Sequence, residues 1–366
     1  MKDLVLQEFK EGKEISSKGY ALFSQDGNFK PYEFKRHCVG ERDVLIEILY
    51  AGICHSDIHT VRGEWGEVSY PLVPGHEIAG RVIGVGGGVQ KVKVGDLVGV
   101  GCMVNSCQSC PTCQSGEEQF CDEGKTIFTY ASKDIFHNGV LTQGGYSNNI
   151  VVNEHFVIKI PNNAQIEKIA PLLCAGIATY SPLKRANIKE GDEVAIVGFG
   201  GLGHMAVQYA KSFGANVSVF ATSESKRDLA FSLGATHFYN VKNPKEMEGL
   251  SNRFSFILST VASSYEITEY IKMLKVDGEI VIVGVPSLTN PATLDATSLI
   301  WSFRRKVSSS LIGGIKETQE MVDYSVEKGI YPMIEMINID ELDQAYERVL
   351  KSDVLFRFVI DMKSLK

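Results

Sequence analysis

The sequence predicts two domains of different fold class, a mostly β domain and an α/β domain with a doubly wound parallel sheet. Three observations support this prediction. The chain has 366 residues, a length that suits two domains. Short strand patterns separated by glycine and proline occupy the first part of the chain. From about residue 175 the pattern changes to strands that alternate with helices, as in a parallel sheet covered by helices.

The first part of the chain contains several short segments in which apolar and polar residues alternate. The residues up to about Ser17 are polar and charged, and we expect them to form an exposed segment. Beyond it, strands are predicted over residues 19–23, 43–50, 82–86 and 94–100. Short strands joined by turns are typical of a compact, barrel-like β domain.

A glycine-rich turn opens the α/β region. It follows a predicted buried strand over residues 192–197 and precedes a predicted helix over residues 204–211. Its residues, in a GxGxxG pattern, include Gly198, Gly200, Gly201, Leu202 and Gly203. The pattern alone is weak, but between a strand and a helix it indicates dinucleotide binding. The glycines permit a tight turn and close backbone approach, and the helix N-terminus receives a pyrophosphate.

The end of the next predicted strand, residues 216–220, bears on which coenzyme binds. NAD-binding proteins usually place Asp or Glu there to hold a ribose hydroxyl. Here Thr222 and Ser223 stand at the strand tip with Lys226 close behind, which favours the 2′-phosphate of NADP(H). Glu224 is an acidic residue close to this position, so NAD remains an alternative coenzyme. Lys226 can also be interpreted as part of a solvated helix start.

The remaining patterns continue the α/β alternation and then change again. Further strands are predicted over residues 254–259 and 278–285. Helices are predicted over residues 318–329, where a glycine stands at the end, and 339–350. A last strand is predicted over residues 356–361.

Four cysteines are spaced as ligands of one metal ion. They are Cys107, Cys110, Cys113 and Cys121, in a C-x2-C-x2-C-x7-C pattern. Four thiolates complete the tetrahedral shell of Zn²⁺ and leave no position for a substrate, so this site is predicted to be structural. The alternatives are disulfides, which need an oxidising compartment, and an iron–sulfur cluster, for which the spacing is unusual.

A second group of soft ligands is scattered along the sequence. It contains Cys54, His76 with Glu77 beside it, and Cys174. Two thiolates and one imidazole leave a fourth position for water or an alcohol oxygen, as a catalytic zinc requires. Each residue alone also has a structural interpretation, because a lone cysteine is most often a small buried apolar residue.

Composition excludes several other classes of protein. A net charge of −7 argues against nucleic-acid binding, which favours a basic surface. No apolar run reaches the roughly 18 residues of a membrane-spanning helix. Acidic residues near the start occupy the place where a signal peptide has its apolar core. We therefore expect a cytoplasmic protein with a small-molecule substrate and with neither nucleic-acid nor membrane partners.

The residues around these ligands resemble the zinc-containing medium-chain alcohol dehydrogenases over nearly the whole chain. The likeness to the family signature lies in the sequence GHEIAG at residues 75–80, with Gly86 and Val89 after it. Residues 52–59 (GICHSDIH) and 173–176 (LCAG) resemble the cinnamyl alcohol dehydrogenase branch. The resemblance implies a GroES-like catalytic domain from residues 1–174 and 313–366, and a Rossmann coenzyme domain from residues 175–312. It also implies a homodimer or homotetramer, with residues 306–314 forming a strand near the subunit contact.

The resemblance also implies roles for individual residues. Cys54, His76 and Cys174 would bind the catalytic zinc. The residues expected to serve the chemistry around it are Ser56, Asp57, His59 and Glu77. Among these, the hydroxyl would contact the substrate oxygen, the imidazole would pass its proton to solvent, and the glutamate would approach the metal when water leaves. Two further interpretations come from the residues themselves: Ser56 as a helix N-cap and Asp57 as a partner of a zinc ligand.

Two more sets of residues follow from the resemblance. Val283 and Gly284 would lie near the nicotinamide. Trp65, Cys102 and Phe128 would line the substrate pocket, although Trp65 can equally be a packing residue.

We therefore predict a zinc-dependent, NADP(H)-using alcohol dehydrogenase or aldehyde reductase with two zinc ions per chain. Its substrate is expected to be a primary alcohol or aldehyde that carries an aromatic, allylic or other apolar group. One alternative is an NAD-linked alcohol or polyol dehydrogenase on the same fold. Another is a non-catalytic nucleotide-sensing protein, which predicts the loss of a catalytic ligand.

Overall fold

The computed structural model describes residues 12–351 and 353–366 of the chain. Residue contacts divide the structure into two compact units. One unit extends to Cys174 and resumes at Gly314–Lys366, and the other is Ala175–Gly313. The acidic start on which the signal-peptide argument rests lies outside the described residues. No helix within the described ranges has the length and apolar character needed to cross a membrane.

The elements are numbered in chain order. The strands are β1 (Ile15–Ala21), β2 (Lys30–Arg36), β3 (Asp43–Ile53), β4 (Ile78–Val85), β5 (Leu97–Val100), β6 (Met103–Asn105), β7 (Ile127–Phe128), β8 (Lys133–Asp134), β9 (Val140–Leu141), β10 (Asn149–Asn153), β11 (Ile158–Lys159), β12 (Glu193–Val197), β13 (Asn216–Ala221), β14 (His237–Asn240), β15 (Phe254–Ser259), β16 (Leu274–Ile282), β17 (Lys306–Ser309), β18 (Ile334–Ile337) and β19 (Arg357–Asp361). The α-helices are α1 (His55–Val61), α2 (Pro111–Gln114), α3 (Ile166–Pro171), α4 (Ile177–Arg185), α5 (Gly203–Ser212), α6 (Arg227–Ser232), α7 (Thr268–Ile271), α8 (Ala296–Ile300), α9 (Ile315–Lys328) and α10 (Leu342–Leu350).

In the part of the first unit that is described, a seven-stranded, mostly antiparallel sheet has the order β11-β5-β4-β3-β19-β18, and β10 also pairs with β3. The long strand β3 is central because most of its side chains are apolar and buried. Ala51 pairs with Ile78 of β4, and Ile53 pairs with Phe358 of β19. The C-terminal end of β3 therefore lies beside the starts of β4 and β19, although these strands are far apart in sequence.

The second unit contains six parallel strands among its residues, in the order β14-β13-β12-β15-β16-β17. The chain begins at the centre with β12, moves to one side, and then continues on the other side with β15. This is the order of a doubly wound dinucleotide-binding sheet, in which ligands bind beyond the carboxyl ends of the strands at the switch point. The predicted doubly wound parallel sheet is confirmed.

Several predicted elements differ at their ends from the observed ones. β1 begins at Ile15, and Ile15 and Ser17 are buried by the pairing of β1 with β2, so the exposed segment predicted up to Ser17 is wrong over its last residues. The strand predicted over residues 94–100 is confined to Leu97–Val100, because Gly95 adopts a φ of +97° in the preceding turn. The strands predicted to continue to residues 285 and 314 stop at Ile282 and Ser309.

Candidate active site and metal centres

A buried cluster of four potential metal ligands lies where the ends of paired strands meet. Its members are Cys54, His76, Glu77 and Cys174, and one ligand atom from each lies within 4.8 Å of the others. Cys54 follows β3, whereas His76 and Glu77 precede β4, so the pairing of these strands brings them together. Cys174 comes from a helical turn over Leu172–Gly176. The structure thus assembles all the residues that were predicted to surround a catalytic metal.

The sulfur atoms of Cys54 and Cys174 are 3.9 Å apart. Two thiolates on one tetrahedral zinc ion are separated by about 3.8 Å when each Zn–S bond is about 2.3 Å. A hydrogen bond from the Cys174 thiol lowers the pKa of Cys54 well below its ordinary value, and the charge of Arg357 acts in the same direction. The donor set therefore fits Zn²⁺, with three protein ligands and one position left open.

Asp57 is fully buried and contacts two members of this cluster and one neighbouring tyrosine. Its Oδ1 accepts a hydrogen bond from Nδ1 of His76 at 3.0 Å, which leaves the lone pair of the imidazole on Nε2 for a metal. Its Oδ2 accepts from the backbone N–H of Cys54 at 2.9 Å and from the Tyr146 hydroxyl at 3.0 Å. The N-cap residue of α1 is Cys54, so the interpretation of Ser56 as the cap is wrong.

Glu77 forms a buried ion pair with Arg357, the first residue of β19. Glu77 is 0% exposed and Arg357 is 4% exposed. Burial raises the pKa of Glu77 to about 7 against the opposing charge of Arg357. Within the described residues, Oε2 of Glu77 has no hydrogen-bond partner. One oxygen of the carboxylate is therefore held by a cation and the other remains available beside the thiols. Sequence reasoning did not identify Arg357, which stands 280 positions from its partner.

Ser56 and His59 both lie on α1, the helix that begins after Cys54. The Ser56 hydroxyl is 3.5 Å from the Cys54 sulfur, so it lies at the edge of the cluster. Nδ1 of His59 contacts Oε2 of Glu64 at 2.6 Å, and within the described residues its buried Nε2 has no partner. The ring of Trp65 stacks on His59 with the centroids 5.0 Å apart. Glu64, which fixes the orientation of the imidazole, was not predicted.

The other two residues predicted to line the pocket have different surroundings. Cys102 is hydrogen bonded to Cys174, and this bond lowers the pKa of Cys102. It therefore borders the metal cluster directly. Phe128 lies outside the buried cluster: it is 40% exposed, and β7 pairs it with Met103. Tyr130, which sequence reasoning missed, stacks on the ring of His76 with the centroids 5.8 Å apart.

The second set of thiols forms a compact local cluster. Its members are Cys107, Cys110, Cys113 and Cys121, and their sulfur atoms lie within 4.8 Å of one another. Backbone N–H groups donate to the sulfur atoms three residues earlier, from Cys110 at 3.3 Å and from Cys113 at 3.4 Å. Backbone hydrogen bonds from Cys110 and Ser109 are the main causes that lower the pKa of Cys107 to about 6. All eight cysteines lie in the described ranges and none is bridged, so the disulfide alternative is wrong. The four thiols fit a closed structural zinc site.

The glycine-rich turn between β12 and α5 has the geometry that dinucleotide binding requires. Gly198 adopts a φ of +91°, and a Cβ at Gly203 would lie 2.0 Å from the Gly198 carbonyl oxygen. By contrast, a Cβ at Gly200 would meet nothing within 4 Å, so the backbone there faces open space. Gly201 and Leu202 complete the turn, and Leu202 is the N-cap residue of α5. The turn lies at the carboxyl end of β12, beside the switch point of the sheet.

The residues after β13 present hydroxyl groups and an ammonium group. Thr222 and Ser223 are exposed, and Nζ of Lys226 donates to the Phe199 carbonyl of the glycine-rich turn at 3.3 Å. Glu224, the residue whose carboxylate would favour NAD, forms an ion pair with Arg227, in which Nη2 of Arg227 lies 3.1 Å from Oε2 of Glu224. The cation rather than the carboxylate thus lies against the turn.

Val283 and Gly284 follow β16 at the same edge of the sheet. Both backbone N–H groups donate to the Ser259 carbonyl, at 2.9 and 3.2 Å. A Cβ at Gly284 would come within 2.2 Å of the Val261 carbonyl oxygen, so the close packing of this loop requires glycine.

Two family models match the chain. Residues 40–162 match the model described as "Alcohol dehydrogenase GroES-like domain", and residues 201–327 match "Zinc-binding dehydrogenase". The first match contains the ligands Cys54 and His76 and the four-cysteine set. The second begins in the glycine-rich turn.

Relatives and solved structures cover nearly the whole chain. A probable formaldehyde dehydrogenase of Bacillus subtilis is 49% identical and covers 92% of this chain and 95% of its own. Cinnamyl alcohol dehydrogenase 2 of Rauvolfia serpentina is 45% identical and covers 95% of each. The crystal structure of CAD from Helicobacter pylori complexed with NADP(H) is 52% identical, with a TM-score of 0.92, over 96% of this chain and 99% of that one. The chain therefore belongs to the zinc-containing medium-chain alcohol dehydrogenase family, in its cinnamyl alcohol dehydrogenase-like branch.

Proposed function

We propose that this chain is a zinc-dependent, NADP(H)-using alcohol dehydrogenase or aldehyde reductase. It transfers hydride between the nicotinamide ring and a primary alcohol or aldehyde that carries an aromatic, allylic or other apolar group. Family membership makes it an oxidoreductase that acts on CH–OH groups. The observation that carries the proposal is the buried set of Cys54, His76 and Cys174, which leaves one coordination position open beside the Ser56 hydroxyl.

In this mechanism the first unit would hold the metal and exchange the substrate proton with solvent. A zinc ion held by the two thiolates and the imidazole would supply Lewis acidity, which polarises a carbonyl and acidifies an alcohol. We assign contact with the substrate oxygen to Ser56 and proton exchange with solvent to His59. Glu64 holds Nδ1 of His59, so Nε2 is the ring atom left to exchange the proton. We propose that Glu77 can act as an alternative oxygen ligand of the metal, since one of its oxygens lacks a hydrogen-bond partner within the described residues.

The second unit would bind the coenzyme. The glycine-rich turn and the start of α5 are suited to the pyrophosphate, and Val283 and Gly284 are assigned to the nicotinamide side. Thr222, Ser223 and Lys226 are assigned to the 2′-phosphate. The alternative that the protein uses NAD(H) depends on Glu224, but that carboxylate forms an ion pair with Arg227. This arrangement supports NADP(H).

The coenzyme assignment can be tested with one substitution and one matched control. Replacement of Lys226 by Ala removes a charge-assisted bond worth roughly 1.5–3 kcal/mol, so kcat/KM for NADP(H) should fall about ten- to hundredfold. The value for NAD(H) should change little. Lys242→Ala removes an exposed lysine of the same unit and should leave both values unchanged. If the wild-type protein prefers NAD(H), the carboxylate of Glu224 determines the coenzyme and this assignment is wrong.

The substrate class rests on Trp65 and Cys102, which border His59 and Cys174. An apolar wall favours a well-filling aromatic group by about 1–3 kcal/mol over a small one and rejects polyols. Purified protein should be assayed with cinnamaldehyde, benzaldehyde, acetaldehyde and sorbitol under the same conditions. Higher kcat/KM for the two aromatic aldehydes is expected. An equal or higher value for acetaldehyde or sorbitol would remove the aromatic preference, whereas no turnover of any substrate with either coenzyme would favour the nucleotide-sensing alternative.

We also propose that the protein is a cytoplasmic homodimer or homotetramer. Large apolar side chains are exposed in the segment that joins β16 to β17, and β17 is an edge strand of the sheet among the described residues of the second unit. The four most exposed are Leu288, Ile300, Trp301 and Phe303, with exposed fractions of 64–76%. Exposed apolar side chains beside an unpaired strand edge are typical of a subunit interface. Light scattering after size-exclusion chromatography should give a dimer or tetramer mass, and Trp301→Asp should shift it towards the monomer. A monomeric wild-type protein would contradict this part of the proposal.

A further inference from the structure

A third group of potential metal ligands lies in the first unit and shares no residue with the two zinc sets. His37 follows β2, Asp43 begins β3, and His137 lies in the loop between β8 and β9. One ligand atom from each of the three side chains lies within 4.8 Å of the others. The family resemblance assigned no role to any of them.

The distances within this group are too long for hydrogen bonds but close to those between ligands of one ion. Oδ2 of Asp43 is 3.7 Å from Nε2 of His137 and 3.8 Å from Nδ1 of His37. Hydrogen bonds between such atoms have lengths of about 2.7–3.2 Å. Two N or O ligands on a tetrahedral zinc ion are about 3.4 Å apart when each bond is about 2.1 Å. A shift of a few tenths of an ångström would bring the Asp43 oxygen and Nε2 of His137 to ligand spacing, whereas the ring of His37 must turn to present its Nε2.

The hydrogen bonds around the two imidazoles leave a nitrogen of each available for a metal. Nδ1 of His137 contacts Oδ2 of Asp134 at 2.7 Å, and Nδ1 of His37 contacts the Cys38 carbonyl oxygen at 2.8 Å. When each Nδ1 donates its proton to an oxygen, the lone pair is on Nε2. An oxygen acceptor behind the ligating imidazole is the usual support of a metal-binding histidine.

The group has room for an ion and for water. The rings stack with centroids 3.6 Å apart and an interplanar angle of 9°, so they must tilt open for both Nε2 atoms to meet one ion. The side chains of His37 and His137 are 20% and 24% exposed, so neither ring is enclosed on all sides. Both line a cavity of about 40 Å³, which exceeds the space that a single water needs.

The charges around the group favour a cation. Carboxylate oxygens of Asp134 and Asp43 lie 2.7 and 3.7 Å from the two ring nitrogens of His137, so two negative groups face this place. Two basic residues, Lys35 and Arg36, also line the cavity. The guanidinium of Arg36 donates to the Gln143 carbonyl at 2.7 Å, and the ammonium of Lys35 lies 3.8 Å from a Glu14 carboxylate oxygen. Both cations thus have other partners.

We propose that His37, Asp43 and His137 bind a third metal ion, a borderline divalent transition-metal ion such as Zn²⁺. Two imidazoles and one carboxylate form a ligand set that suits such ions, and water completes the shell. Asp134 is a positioning residue that orients His137. Because the ligands come from three separate segments, the bound ion would fasten the β8–β9 loop to the start of β3.

The test uses purified protein that carries its two zinc ions and is titrated with Zn²⁺ alone in a calorimeter. Wild-type protein should bind one further equivalent, and so should His237→Asn, which removes an exposed histidine of the second unit. His37→Asn and His137→Asn should lose this equivalent. Asp134→Asn should bind it about 10- to 100-fold more weakly. The proposal is overturned if wild-type protein binds no further ion, or if both ligand variants bind it as tightly as wild type.

A second measurement needs no variant and therefore does not depend on how well one folds. Cu²⁺ added to the zinc-loaded wild-type protein should give an electron paramagnetic resonance spectrum with superhyperfine splitting from two imidazole nitrogens. A spectrum without nitrogen coupling would contradict the proposal. In that case the two histidines would be a hydrogen-bonded pair that only joins the loop to the strand.

Discussion

The two sets of ligands that we assign to zinc are assembled differently, one from a single short segment and the other from distant segments. The structural set takes all four ligands from residues 107–121, and local backbone N–H groups donate to its sulfur atoms. The catalytic set takes its ligands from Cys54, His76 and Cys174, which only the pairing of distant strands and a helical turn brings together. One site depends on the conformation of a short segment, and the other depends on the whole sheet.

This difference separates what each metal contributes. The four-cysteine segment packs mainly sulfur against sulfur, with few apolar side chains of its own, so the metal must supply much of its stability. The catalytic ligands stand on a sheet whose apolar core is buried independently of the metal, as Val44, Ile46 and Ile78 are. We therefore expect loss of the catalytic metal to remove activity with little effect on folding. Loss of the metal from the four-cysteine segment should instead lower the stability of the fold.

The largest expected effect is that of Cys54→Ser on turnover. The serine oxygen is a poor substitute for a thiolate at a zinc ion with only three protein ligands, so activity should fall below detection. The melting temperature should stay close to that of the wild type, and metal analysis should find one zinc per chain. Cys38→Ser is the control, because Cys38 belongs to neither set. A large loss of stability in Cys54→Ser would mean that the catalytic site, like the four-cysteine site, contributes to folding.

The reciprocal experiment is Cys110→Ser. The loss of one thiolate from the closed site should lower the free energy of unfolding by several kcal/mol, a fraction of the roughly 10–16 kcal/mol that structural zinc contributes in small peptides. Chemical denaturation with and without a chelator should show this loss, and the chelator should matter less in the variant. An unchanged unfolding midpoint would mean that the segment does not depend on its metal.

The contrast also explains what could be read from the sequence. The four-cysteine set was predictable because its spacing is local, and the glycine-rich turn was predictable because strand, turn and helix follow one another directly. The fold class followed from the same local patterns. The scattered ligands could be grouped only through resemblance to a family, since spacing does not reveal that β3 pairs with β4.

Two of the residues that sequence reasoning missed are linked to the site by long-range contacts. Arg357 and Tyr130 act on the site through contacts with residues far away in sequence, and no local pattern marks an arginine at the start of a strand as the partner of Glu77. Glu64 is nearer, five residues after His59, but it lies beyond the end of α1, where helical periodicity no longer indicates which side chains meet. The exposure of Phe128 could not be read from a two-residue strand.

The buried ion pair between Arg357 and Glu77 gives the next test. Arg357→Met leaves the Glu77 carboxylate buried without its cation, and breaking such a pair costs about 3–5 kcal/mol. Chemical denaturation should show a loss of this size. The double variant Arg357→Met with Glu77→Gln removes both charges and should recover part of it. If the single variant is as stable as the wild type, the support that β19 gives to the catalytic ligands does not depend on this pair.

The smallest expected effect concerns Asp57, which separates the two sites most sharply. Asp57→Asn replaces the carboxylate that holds His76 and accepts from Cys54, and loss of such a partner typically weakens metal binding 10- to 100-fold. The sulfur atoms of the four-cysteine set instead receive backbone N–H groups that no side-chain substitution removes. Zinc release should therefore be followed during competition with a chelator. The variant should lose one zinc at a 10- to 100-fold lower chelator concentration than the wild type and should release the second at an unchanged concentration. A parallel shift of both would mean that Asp57 supports the folded unit as a whole, and no shift would mean that the sheet alone positions His76.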